Sequence, residues 1–247
     1  MFNAEVLPSP LVAERLLSAA EVRSRSMGEM EGALVVLQNI HKNFPDGDNV
    51  QKVLQGVNLQ VKSSEFVAIQ GESGVGKTTL LRILGTLLKP DSGQYLLDGV
   101  DVFSEGIDLA QIRNQKIGFV FQDHRLLPQF TALENILLPT LAQKKQSTDA
   151  EIEYAHQLME LTGIAPMAAK YPSMLSGGEA GRVAICRALI RKPKLLLADE
   201  PTGQLDAQNA RNIAQLLADL NQKLGTTILM ATHSEEVARV ANVGFKL

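Results

Sequence analysis

The chain has 247 residues, 45% hydrophobic and 21% charged, which is enough apolar material for a sizeable core in one large domain or two small ones. A net charge of −3 leaves no basic footprint for nucleic acid, and a single cysteine, Cys186, excludes an intrachain disulfide and a multi-cysteine metal site and fits a reducing compartment. No apolar run approaches the roughly 20 residues that cross a bilayer, so work at a membrane requires spans supplied by another chain.

Residues 1–33 read as an N-terminal extension without the basic leading segment of a signal peptide. The favoured reading is an extension packed loosely on the domain or disordered. The alternative is a short helix started by Ser9-Pro10, with Leu11, Val12, Leu16, Leu17 and Ala20 roughly on one face. The folded domain is placed at residues 34–247. Residues 34–40 and 53–61 read as strands, separated by the turn-like FPDGDN. FVAIQ, residues 66–70, is a short apolar strand, followed by a helix from Lys77 to about Leu88 that stops near Pro90.

KPDSG is a turn, QYLLDG a strand then a turn, and IGFVFQ, residues 117–122, a buried strand. From Thr131 to about Ile190 the pattern is helical, broken by QKKQSTD and GIAPM. KLLLAD, residues 194–199, reads as a buried parallel strand. AQNARNIAQLLADLNQKLG is an amphipathic helix ended by Gly225, TTILMAT another buried strand, and SEEVARVA a last helix. This order implies an α/β core with a helical segment inserted in its middle.

GESGVGKTT, residues 71–79, matches the phosphate-loop pattern in full and sits between an apolar strand and a helix start. Gly71, Glu72, Ser73, Gly74, Val75, Gly76, Lys77, Thr78 and Thr79 are therefore the candidate nucleotide-binding residues. Glycines let the backbone curl so that successive N–H groups point at phosphate oxygens, and the helix N-terminus adds partial positive charge. Lys77 is assigned to the β- and γ-phosphates and Thr78 to Mg²⁺. In LLLADEP, Asp199 ends a buried strand, at the edge where open α/β sheets bind ligands. It is a candidate Mg²⁺ partner, and Glu200 a candidate general base for the attacking water. Gln122 suits Mg²⁺ or the orientation of water, and His233 the γ-phosphate. Each of these two also suits mere satisfaction of backbone groups at a strand end.

The phosphate loop, Gln122, LSGGE (residues 175–179), LLLADEP, GQLD and THS stand in the order and approximate spacing of the ABC ATPases. From about Leu34 to the end, the sequence resembles the nucleotide-binding subunit of an ABC transporter. That resemblance implies a P-loop NTPase fold, an ABC ATPase core with an inserted α-helical subdomain at about residues 123–190. It implies ATP and Mg²⁺ as cofactors and a two-fold ATP sandwich with a second copy of the chain. It also implies that Ser176, Gly177, Gly178 and Glu179 bind the γ-phosphate held by that copy. Asp206 matches the loop that crosses between subunits. Phe44 matches the aromatic that stacks on adenine; the alternative is a hydrophobic residue in a turn. A separate integral membrane subunit is implied, with the chain peripheral on the cytoplasmic face of the inner membrane.

Residues 112–139, IRNQKIGFVFQDHRLLPQFTALENILLP, resemble the corresponding segment in ATPases of bacterial lipoprotein-releasing systems. ADEPTGQLD is close to the form shared by that group, the macrolide-exporter type and the cell-division type. Lipoprotein release is the expected task, and efflux or a regulatory role in division the alternative. Leu126, Leu127, Phe130, Leu133 and Ile136 are candidates for a groove that takes a partner's helix, or for core. Ala180-Gly181 departs from the family, which usually has two polar residues there. A glycine at this point costs roughly 1 kcal/mol of helix propensity.

Overall fold

The computed structural model describes residues 16–17, 32–47, 49–142 and 144–247. The chain first forms a long hairpin, β2 (Ala33–Asp46) and β3 (Asn49–Lys62), with Asp46 opposite Asn49. Both strands extend well beyond the predicted boundaries. FPDGDN is mostly strand, because the reversal needs only two residues and Gly47 supplies the left-handed φ of 59°. β5 (Ser92–Leu97) and β6 (Val100–Asp101) complete a four-stranded antiparallel sheet in the order β3-β2-β5-β6.

The second sheet is parallel throughout, in the order β1-β10-β4-β9-β8-β7. Its strands are β1 (Leu16–Leu17), β4 (Phe66–Gln70), β7 (Ile117–Val120), β8 (Leu195–Asp199), β9 (Thr227–Thr232) and β10 (Val243–Lys246). Leu16 and Leu17, which the alternative reading put on a helix face, instead pair as strand with Gly244 and Phe245. The unpaired edge of β10 offers them backbone partners that an isolated short helix lacks. The rest of the predicted N-terminal helix lies outside the described residues.

The apolar runs of the central strands follow from burial on both faces. Phe66, Leu196, Ala198, Ile228 and Met230 belong to one core, and Val67, Ile69, Leu195, Leu197, Leu229 and Ala231 to the other. Alternate residues thus serve opposite faces, as the strand period of two requires. The second core is closed by the antiparallel sheet and by α1 (Lys77–Leu84). This helix ends at Gly85, earlier than predicted, and the buried Tyr95 hydroxyl donates to the Leu84 carbonyl at 2.9 Å.

The first core is closed by helices. α2 (Leu109–Lys116), which the sequence reading does not anticipate, buries no residue and leads into β7. α3 (Ala132–Leu137), α4 (Asp149–Leu161) and α5 (Gly177–Leu189) form the helical layer over residues 131–190. Each begins with a Ser or Thr N-cap in a capping box, closed by Glu134, Glu151 and Glu179 respectively. α5 lies directly on β7: a Cβ at Gly118 would stand 2.3 Å from the Ala188 carbonyl oxygen. α6 (Ala207–Leu224) is N-capped by Asp206 and stopped by Gly225 at φ 66°, and α7 (Glu235–Ala238) is the last helix.

Candidate functional site

The C-terminal ends of β4, β8 and β9 meet at one edge of the parallel sheet, and the candidate residues follow from them. Residues 71–76 loop from β4 to α1 and close at Gly76, whose φ of 111° lies in the left-handed region that favours glycine. A Cβ at Gly76 would lie 3.0 Å from both Val53 and Leu54 side-chain carbons, so the β2–β3 hairpin walls the loop on one side. The Lys77 ammonium is buried and donates to the carbonyls of Gly71 at 2.8 Å and Glu72 at 2.9 Å. It also stands 3.9 Å from Glu200 Oε1. The Val75 N–H donates to the Glu72 carbonyl at 3.4 Å. Gly71, Glu72 and Val75 therefore shape the loop and its lysine from behind.

At the next position of α1, the Thr78 hydroxyl donates to Asp199 Oδ1 at 3.0 Å. Burial at the end of β8 pushes the Asp199 carboxyl above its ordinary pKa, and the neighbouring Glu200 charge adds to this. The Thr78 hydroxyl acts in the opposite direction. Glu200 turns out of the strand at φ 48°, a conformation that costs a non-glycine residue about 1–3 kcal/mol. The turn is held by Glu200 N–H to the Ala231 carbonyl and by Gly203 N–H to the Glu200 carbonyl, each 3.0 Å. The result sets the Glu200 carboxylate between Lys77 and His233, whose Nδ1 is 2.5 Å from Glu200 Oε2.

Phe44, Ser73, Gly74, Gly76, Lys77, Thr78, Thr79, Gln122, Glu200 and His233 line a single cavity of about 480 Å³. Gln122 reaches it from the end of β7, and its amide nitrogen would stand 3.2 Å from a Cβ at Gly203. Phe44 enters from strand β2 rather than from a turn, with the Lys42 ammonium 5.6 Å from its ring centroid. Gln51 and Val53 also line the cavity and escaped the sequence reading. The signal for Gln51 is the hairpin register, which pairs it with Phe44. Asp199 lies beneath the cavity, behind Thr78. Thr78 hydroxyl, Gln122 amide oxygen and Asp199 carboxylate are hard oxygen donors, the chemistry that suits Mg²⁺.

Ser176, Gly177, Gly178, Glu179 and Asp206 do not line this cavity. The Ser176 hydroxyl donates to Glu179 Oε2 at 2.8 Å and accepts from the Glu179 N–H at 3.3 Å. Hydrogen bonds from Ser176 hold the Glu179 carboxyl below its ordinary pKa. Asp206 accepts from Asn209 N–H at 2.9 Å and from the Asn209 amide at 2.6 Å. A Cβ at Gly177 would meet Leu205 at 3.2 Å, so the start of α5 rests on the turn before α6.

Of the apolar residues after Gln122, Ile136 is fully buried and Leu126 and Leu133 pack against the same core. Ile136 is therefore core, while Leu126 and Leu133 are half-buried at its border. Leu127 remains 40% exposed and Met174 61%. The loop from Leu127 to Thr131 is organised by the buried Asn135, which accepts from the Leu127 N–H and donates to the carbonyls of Leu127, Phe130 and Thr131.

A parallel sheet whose first long strand feeds a glycine loop and a lysine-bearing helix, beside a strand ending in two acids, defines a phosphate-loop nucleoside triphosphatase. The chain belongs to the ABC transporter family, which matches residues 54–203. It is 46% identical over 213 residues to the lipoprotein-releasing system ATP-binding protein LolD of Shewanella frigidimarina (strain NCIMB 400), covering 86% of this chain and 89% of that protein. It is also 46% identical over 211 residues to the macrolide export ATP-binding/permease protein MacB of Rhodopirellula baltica (strain DSM 10527 / NCIMB 13988 / SH1), covering 85% of this chain and 31% of that protein. The dimeric post-hydrolysis structure of the ATP-binding cassette MJ0796, bound to ADP and Pi, superposes with a TM-score of 0.75 at 39% identity. That match covers 84% of this chain and 91% of the other. The protein is thus an ATP-binding cassette ATPase, as the resemblance implies.

Proposed function

We propose that two copies of the chain close on two Mg-ATP and drive a separate membrane subunit that releases lipoproteins from the inner membrane. The chain itself would sit peripherally on the cytoplasmic face. Among the described residues no helix is long and apolar enough to cross a membrane. The carrying observation is the division of phosphate-seeking groups. Lys77, Thr78, Gln122, Glu200 and His233 converge on one cavity, while residues 176–179 do not line it. A second chain brings its own 176–179 turn to the open side of the cavity, offering the N–H groups of Gly177 and Gly178 at a helix start. Such pairing agrees with the dimeric form of MJ0796.

In this site Phe44 stacks on the adenine and the loop N–H groups cradle the phosphates. Lys77 exchanges its two carbonyl partners for β- and γ-phosphate oxygens. Thr78, Gln122 and Asp199 would hold Mg²⁺, which would supply neutralisation of phosphate charge. Gln122 orients the attacking water, and Glu200 takes its proton as the oxygen bonds to the γ-phosphorus and ADP leaves. His233 holds the Glu200 carboxylate in place and contacts the γ-phosphate. Asp206 faces the second chain.

Support for lipoprotein release is the 46% identity to a lipoprotein-releasing ATPase across 86% of the chain, together with residues 112–139. The test is depletion of the protein followed by fractionation of membranes. Retention of lipoproteins in the inner membrane is expected. Normal lipoprotein sorting with macrolide sensitivity, or with a division defect, would overturn the assignment.

A further inference from the structure

The loop carrying Gln122 is fastened to the helix that begins with the 176–179 turn. Two consecutive non-glycine residues after Asp123, His124 at φ 57° and Arg125 at φ 48°, are left-handed. Such a pair persists only where its surroundings hold it. The holding group is Arg187 of α5, which donates to the His124 carbonyl at 2.6 Å and to the Arg125 carbonyl at 2.7 Å. The His124 side chain makes a second attachment. It is 9% exposed and its ring packs against Gly181, in the second turn of the helix that residues 176–179 begin. Among the described residues Nδ1 of the ring has no hydrogen-bond partner, so ring placement is not dictated by a saturated local network.

Gly181 makes this arrangement possible. It is buried in α5, and a Cβ there would lie 3.4 Å from His124 Cε1 and 3.7 Å from Nε2. An alanine fits in ordinary contact, but a longer side chain competes with the ring for the same space. The helix-propensity cost of the glycine thus has a packing reason.

We propose that His124 is a positioning residue through which the Gln122 loop and the 176–179 turn move as one unit, with Gly181 as the position that makes room for it. This rests on the paired-site reading above, in which Gln122 serves one ATP and the 176–179 turn of the same chain serves the other. His124 then lies on the physical route between the two sites, and its loss uncouples them.

The test is steady-state ATP hydrolysis by the full chain as a function of ATP, for wild type, His124→Ala, Gly181→Gln and the double variant. Thermal melts and ATP affinity of the isolated chain are measured alongside. Wild type should show a Hill coefficient approaching about 2, and each single variant one near about 1, with ATP affinity unchanged. The double variant should lose no more than either single one, because both act on one contact. A single variant with the wild-type Hill coefficient, or losses that add, would overturn the proposal. His124→Phe keeps the ring volume without its nitrogens and carries the same expectation if His124→Ala does not fold. A wild-type Hill coefficient of 1 would likewise overturn the proposal, whereas an ATP-bound Glu200→Gln chain that stays monomeric would overturn the paired-site reading itself.

Discussion

Lys77 shows how much chemistry one side chain concentrates at the residue scale. Its ammonium is buried, stands against two loop carbonyls and faces Glu200 at 3.9 Å. Lys77→Ala removes the group that pins the loop and, in the proposed mechanism, the charge partner of the phosphates. Weaker ATP binding by equilibrium titration is expected, and unchanged affinity would contradict the phosphate-loop assignment. Cys186 makes the opposite case. It is fully buried, with the Thr162 hydroxyl 3.2 Å from Sγ, and burial pushes its thiol up to about 12. The native protein should therefore resist a thiol reagent at neutral pH and react only on unfolding. Rapid native labelling would count against the packing of α4 on α5. The contiguous phosphate loop was legible in the sequence because its chemistry is local. The contact of His124 with Gly181 joins positions 57 apart, and no local pattern announces it. Gln51 escaped for a similar reason: it lines the cavity only through its register with Phe44.

Helix starts dominate the element scale. The three capping boxes are visible in the sequence as Ser or Thr followed three residues later by Glu, and all three are formed. Glu151 goes furthest: it closes the box of α4, pairs with Lys144, and accepts from Arg191 at 3.1 Å. The Lys144 ammonium, then the Thr148 N–H, lower its pKa to about 2 from 4.5. A depressed carboxylate contributes stability that is present above its unfolded pKa and is lost as pH falls through the folded one. The stability gap between wild type and Glu151→Gln should thus be constant above about pH 5 and close as pH falls from there toward 2, as read by urea denaturation. A gap independent of pH would contradict the ionic contribution. The elements missed by sequence reading share a physical cause. α2 buries no residue, and β10 has four residues with only Phe245 buried, so neither displays the periodicity that burial imposes. The hairpin was read too short because Asn43, Pro45 and Asp46 are turn formers, overridden here by pairing with β3.

At the scale of the whole molecule, the α/β class and the order of its layers were readable from alternating apolar strands and helices. The pairing of chains was legible only through the family resemblance of LSGGE and GQLD, because composition and periodicity do not state which copy a loop serves. The structure bears on this through the cavity, which gathers five candidate groups and omits the 176–179 turn. Glu200→Gln keeps the cavity and removes the proposed proton acceptor, so hydrolysis should fall at least ~100-fold while ATP still binds. Near-normal hydrolysis would refute the assignment of Glu200. The same variant gives the most direct measurement of the central claim, because it holds ATP without consuming it. Light scattering of Glu200→Gln should report a monomer without nucleotide and twice that mass with saturating Mg-ATP. A mass that stays monomeric while ATP is demonstrably bound would contradict the two-chain site.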